Sequence, residues 1–137
     1  MPAAAVSDTG AQFISKIIEL VNIERSNAGI PALKPDPELM AAAMYKCRDL
    51  SESCQFSHNS ATYGEAYKLM DVFNIHYISW GENIASGQDT PEEVMNAWME
   101  SPGHRENILD SRFQYIGVGF MYDGYYSTIW SQEFIER

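Results

Sequence analysis

Ile116-Gly117-Val118-Gly119-Phe120-Met121-Tyr122-Asp123-Gly124 decides the fold class. Ile116, Val118, Phe120 and Tyr122 fall on every second position and alternate with Gly117, Gly119 and Met121, which is the period of a strand. Asp123-Gly124 favours a type I′ turn, so residues 126–134 are expected to return as the antiparallel partner. Residues 78–85 supply a third strand candidate.

Upstream, the period is helical. Phe13, Ile14, Ile17, Val21 and Ala28 recur at helix spacing behind a capping-box pattern, Thr9-x-x-Gln12, and Gly29-Ile30-Pro31 stops the helix. Asp36-Pro37 offers an N-cap and a first helical position for a second helix striped by Leu39, Ala43, Cys47 and Leu50. A shorter third helix is expected over residues 64–73, with Tyr67, Met70 and Phe73 inward. Thr90-Pro91-Glu92-Glu93 starts a fourth, which runs to about Glu100 with Val94, Ala97 and Trp98 on one face. Pro102-Gly103 breaks it before a short helical turn at residues 105–109. Helices first and strands last give the α+β class, read as one domain over residues 11–137 behind a loose leader, residues 1–10.

The 137 residues make one domain, able to bury about two-thirds of its unfolded surface. A net charge of −10 with no Lys/Arg cluster repels phosphate, which argues against nucleic acid and anionic membranes as partners. No apolar run approaches the ~20 residues that span a bilayer, so no transmembrane segment is expected. Met1-Pro2-Ala3-Ala4-Ala5 lacks the basic and apolar regions of an export signal. The chain therefore reads either as cytosolic or as a mature chain whose signal has been removed. Cys47 and Cys54 would lie ~10.5 Å apart along one helix, too far for a disulfide unless the helix ends near Leu50 and the chain turns back. Otherwise they are free thiols, and as a zinc pattern the pair is weak.

Three separate elements each deliver one ionisable group. His58 follows a polar loop, Glu82 lies on the third strand candidate, and His104 follows the Pro-Gly break. Two imidazoles and a carboxylate suit Zn²⁺ or another divalent cation, with a position left for water. The alternative is histidines that cap loops through hydrogen bonds. A histidine oriented by a carboxylate is also half of a nucleophilic triad, and Ser57, Ser101 and Ser131 are nearby in motif. None sits in a G-x-S-x-G elbow, so water activated by a metal, or by His58 with Glu82, is the simpler hydrolytic route. Asn83 and Asn107 read as residues that fix turns, and Gln132 either lines the cleft or packs. Tyr125 and Tyr126 beside the hairpin turn offer a flat aromatic patch.

Several runs carry a resemblance: Gly81-Glu82-Asn83-Ile84-Ala85, Trp98-Met99-Glu100-Ser101-Pro102-Gly103-His104-Arg105-Glu106-Asn107-Ile108-Leu109 and Phe56-Ser57-His58. Leu20-Val21-Asn22-Ile23-Glu24-Arg25, Pro37-Glu38-Leu39-Met40, Ile116-Gly117-Val118-Gly119 and Trp130-Ser131-Gln132-Glu133-Phe134 add to it. In order and spacing, from about Ile17 to the C-terminus, the chain resembles the CAP superfamily (cysteine-rich secretory protein, antigen 5, pathogenesis-related 1; the SCP-like domain), in its bacterial branch. The resemblance implies a three-layer α-β-α sandwich, with a small antiparallel sheet flanked by about four helices. It also implies an extracellular or cell-surface location. Its cleft holds two histidines and, in many members, two acids; His58, Glu82 and His104 match three of these four. Alignment on Trp98 puts Ser101 at the fourth place, and Glu100, one residue early, would be turned by about 100°. The implied work is binding of a lipid, a cell-wall fragment or a protein. His58 and His104 would hold the metal, with Glu82 as cleft acid or ligand. A metal- or histidine-dependent, peptidase-like hydrolase using His58, Glu82 and His104 is the alternative. The disulfides of animal and plant members are absent from the sequence.

Overall fold

The computed structural model describes residues 8–137. Residues 1–7, most of the expected leader, lie outside the described residues. Helix α1 (Asp8–Asn27) is already formed at Thr9, so the capping box does not open it there. Arg25 replaces the expected Ala28 at the end of its buried stripe, Ile14, Ile17 and Val21. Ala28 falls in the exposed turn beyond the helix. Strand β1 (Lys34–Pro35) leads into α2 (Pro37–Ser53), whose N-cap Asp36 accepts from the Leu39 N–H at 3.0 Å. Helix α3 is Lys68–Val72, shorter than expected, and Tyr67 is 43% exposed rather than inward.

Strand β2 (Ser79–Ser86) is followed by α4 (Pro91–Glu100), α5 (Pro102–Ile108), β3 (Tyr115–Asp123) and β4 (Ser127–Glu136). Thr90 caps α4 as its sequence requires, accepting from the Glu93 N–H at 3.2 Å. The buried arc of α4 is Pro91, Val94, Met95 and Trp98; Ala97 turns outward, because the spacing i, i+3, i+4, i+7 centres the arc one position away from it. The break falls where expected, with Ser101 extended ahead of Pro102, but α5 begins at Pro102 rather than at Arg105. Pro102 is the first residue of α5, where a missing N–H leaves nothing unpaired.

The sheet has the order β1-β3-β4-β2. β2, β4 and β3 are antiparallel neighbours, but β1 is parallel to β3, so the sheet is mixed rather than purely antiparallel. Pro35 is tolerated because β1 is an edge strand: the flanking Lys34 and Asp36 N–H groups donate to Gln114 O and Ile116 O, while Pro35 needs no partner. The β3–β4 connection is not a type I′ turn. Asp123 pairs with Ser127, leaving a loop over residues 124–126, and Ser127 takes φ 72°. The Asp123 carboxylate shapes this loop by accepting from the N–H groups of Tyr125 and Tyr126 at 2.8 and 2.7 Å.

Strand pairing sorts the side chains into two faces. Gly117, Glu133 and Glu82 lie in one row and Gly119, Ser131 and Ile84 in the next, on the face that α2 covers. A Cβ on Gly117 would fall well inside contact distance of Leu39 O, and one on Gly119 would lie 2.5 Å from Ala43 O. The two glycines thus let the α2 backbone rest directly on β3. The other face carries Ile116, Val118, Phe120, Trp130 and Phe134, which join Ile17, Val21, Val94 and Trp98 in the main core. Layers of α2 with α3, the sheet, and α1 with α4 and α5 give the expected α-β-α sandwich, with five helices among the described residues.

Candidate functional site

β2 is the edge strand opposite β1, and the candidate residues gather along it. His58 comes from the loop on the α2 side. His104 comes from α5, in the layer on the other side.

The His58 loop is held from beneath. Lys46, on α2, is fully buried, and its Nζ donates to Ser57 O at 2.9 Å, His58 O at 2.8 Å and the Tyr63 hydroxyl at 2.7 Å. Those three bonds use all three ammonium donors, which is what a buried cation requires. A bridge between Ser60 and Gly64, where Gly64 has φ 92°, closes the loop. The Thr62 hydroxyl adds a bond to Asp49 at 2.9 Å. Burial, then the charges of Glu82 and Glu133, push the Tyr63 phenol upward, so it remains neutral.

Glu82 projects from β2 toward this loop with its side chain 1% exposed, while that of His58 is 49% exposed. His58 Nδ1 lies 2.7 Å from Glu82 Oε1. A carboxylate oxygen only accepts, so Nδ1 carries a proton, and in the neutral form of the ring Nε2 holds the lone pair. His104 has its pKa lowered from 6.5, first by burial and then by the charge of His58. Its neutral form, the one that can ligate a metal, is favoured.

α5 is fastened to β2 by two asparagines. Asn83 Nδ2 donates to His104 O and to Gln132 Oε1, both at 3.0 Å. Asn107 Nδ2 donates to Glu82 O at 3.2 Å and to Asn83 Oδ1 at 2.9 Å. Gly81 makes room for this contact, since a Cβ there would lie 2.9 Å from Asn107 Oδ1. Both asparagines therefore fix backbone, as their motifs suggest. Gln132 is buried on the face opposite Glu82 and packs against Met95 and Asn83.

Glu100, Ser131, Cys47 and Cys54 make no hydrogen bond to His58, Glu82 or His104. Glu100 is exposed at the end of α4. Ser131 is fully buried, and its hydroxyl donates to Ala43 O at 2.7 Å, so it cannot serve as a nucleophile. Cys47 and Cys54 are free: Cys47 is buried with its thiol pushed up to about 12, mainly by burial, and Cys54 is exposed. Tyr125 is 78% exposed and meets Tyr126, which packs on Phe56 at 5.3 Å.

Sequence reading missed Lys46, Tyr63 and Glu133. Glu133 is fully buried beside Glu82, its register partner, and burial together with the charge of Glu82 raises its carboxyl well above the usual range. The signal that could have found it was a lone charge in the alternating run Ile129, Ser131, Glu133, Ile135. A charge at an inward position of a central strand must find a partner. Lys46 carried a similar signal, three residues after Ala43 on the inward side of its helix.

Among the described residues no group of three His, Cys, Asp or Glu side chains is arranged to hold a metal ion. The donors that fit one are the two imidazoles, because Glu82 is engaged with His58 Nδ1. Such a set suits an open site whose other positions are filled from outside, not a closed structural zinc centre.

The model of the cysteine-rich secretory protein family matches residues 18–134. The protein YkwD of Bacillus subtilis (strain 168) is 47% identical over 122 residues, covering 89% of this chain and 46% of YkwD. An extracellular protein of Bacillus anthracis containing an SCP domain superposes with a TM-score of 0.88 at 27% identity, over 100% of this chain and 45% of that one. An outer surface protein of Borrelia burgdorferi gives 0.84 at 20% identity, over 92% of this chain and 93% of its own, and so shares the fold. The chain thus spans about half the length of YkwD and of the Bacillus anthracis protein.

Proposed function

This chain belongs to the cysteine-rich secretory protein family, and from that premise we propose that it is an extracellular binding module whose cleft between His58 and His104 takes up a divalent cation. The observation that carries this reading is the Glu82–His58 contact at 2.7 Å. A buried carboxylate that fixes one ring nitrogen of a half-exposed histidine leaves the other prepared as a ligand. His104, held neutral by its surroundings, supplies a second imidazole from the opposite side of β2. Zn²⁺ is among the divalent cations that imidazole nitrogens suit. It would act as a Lewis acid for an anionic or carbonyl oxygen of the bound molecule.

An open two-histidine site favours ligands that bring their own oxygen donors, such as a cell-wall fragment or a peptide carboxylate. The extracellular setting is supported by the Bacillus anthracis relative, itself an extracellular protein. The hydrolase alternative draws on the same three residues. It gains no nucleophile from Ser131, whose hydroxyl is bonded to α2.

Calorimetric titration of Zn²⁺ near neutral pH into wild type, His58→Ala and His104→Ala tests the proposal. One-to-one binding that both substitutions abolish, with little change in thermal stability, is the expected result. No heat in the wild type, together with a large stability loss in both variants, would make the histidines structural and end the metal reading.

A further inference from the structure

Glu82 and Glu133 are register partners on β2 and β4, so their side chains leave the sheet side by side on the α2 face. Glu133 is fully buried and Glu82 is 5% exposed. One oxygen of each is engaged: Glu82 Oε1 with His58 Nδ1 at 2.7 Å, and Glu133 Oε1 accepting from Trp80 Nε1 at 3.0 Å. The second oxygen of each, Oε2, is buried and has no hydrogen-bond partner among the described residues. Two ionised carboxylates would leave two acceptors side by side with no donor, and burial makes each such orphan unfavourable. One proton converts one of them into a donor and satisfies both.

The surroundings decide where that proton sits. From α2, Lys46 is the nearby cation, but its three donors are taken by Ser57 O, His58 O and the Tyr63 hydroxyl. Cys47, also on α2, is a neutral buried thiol, and Tyr63 from the loop is a neutral phenol. Within the sheet, Ser131 gives its proton to α2, and Trp80 offers Glu133 a single N–H. Glu82 has the better partner for a negative charge, the His58 ring. Glu133 has the poorer one and the deeper burial.

We propose that Glu133 is a positioning residue for His58: its neutral carboxyl donates to Glu82 Oε2 and so fixes Glu82 with Oε1 on His58 Nδ1. The chain of contacts is then Trp80 to Glu133, Glu133 to Glu82, and Glu82 to His58, with every oxygen satisfied. It deepens the reading of His58 as a prepared ligand and can be tested without a metal.

Difference infrared spectra of wild type and E133Q in heavy water at neutral pH should show one protonated carboxylic-acid carbonyl band, present in the wild type and lost in the variant. In NMR spectra the His58 Nδ1 proton should give a downfield resonance. E133Q should keep it, because a carboxamide can donate to Glu82 and accept from Trp80. E133L removes the donor and should lose that resonance, with Zn²⁺ affinity lower by about ten-fold, as for outer partners of a metal-bound histidine. Absence of the acid band in the wild type would overturn the proposal. So would loss of the Nδ1 resonance in E133Q to the same extent as in E133L. If E133L does not fold, the comparison of wild type with E133Q decides. If zinc does not bind the wild type, the metal reading fails, while the acid band and the Nδ1 resonance still decide for Glu133.

Discussion

His58 Nδ1 and Glu82 Oε1 meet at 2.7 Å although the two residues belong to different elements, an α2–α3 loop and the edge strand β2. The contact fixes the tautomer of an imidazole that is otherwise half open to solvent. Replacement Glu82→Gln keeps the volume and removes the charge. It should leave the fold intact and lower Zn²⁺ affinity by roughly 10–100-fold. Parallel calorimetry and thermal melts would show this; an affinity equal to wild type would mean that Glu82 does not orient the ring.

Lys46 has no exposed surface, and the His58 loop depends on it. Lys46→Met fills the space but leaves two carbonyls and a phenol without their donor. The expected loss is about 3 kcal/mol or more in urea unfolding. Faster amide hydrogen exchange should be concentrated at residues 57–63. Uniform exchange across the sheet would instead indicate general destabilisation.

The lowered pKa of His104 predicts a pH dependence with a definite sign. Well above pH 6.5 the residue is neutral in both folded and unfolded states, and contributes no difference. As pH falls below 6.5 the unfolded chain takes up the proton first, so stability declines until the folded pKa is passed. Thermal melts between neutral and mildly acidic pH should therefore show a steeper acid-side decline in wild type than in His104→Gln. Equal slopes would contradict the shift.

Gly117 is set by packing rather than by a turn. A methyl group there would overlap the Leu39 carbonyl, and backbone atoms of a helix cannot yield as a flexible side chain can. Gly117→Ala should destabilise the protein by about 3 kcal/mol or more in urea unfolding, at the upper end of overpacking costs, by forcing α2 off the sheet. A loss below about 1 kcal/mol would show that the helix shifts freely.

Much of this molecule was determined locally and was therefore legible. Asp36-Pro37 and Thr90-Pro91 start helices because a capping oxygen and a preset φ act within three residues. The alternation from Ile116 to Tyr122 requires a strand because one face must be buried. The motifs around His58, Glu82 and His104 identified the family and named the histidines. Local pattern failed where a neighbour distant in sequence set the outcome. Ala97 and Tyr67 carry apolar surface that helical spacing alone placed inward, but the layers of the sandwich turned them out. The parallel pairing of β1 rests on two residues, too few for any period to show. Only the register of β2 against β4 put Glu133 beside Glu82, and only the seating of α2 on Gly117 and Gly119 brought Lys46 beneath the His58 loop. Charge partners are chosen in three dimensions: burial obliges each ionised group to find one, and the sequence states the obligation but not the partner.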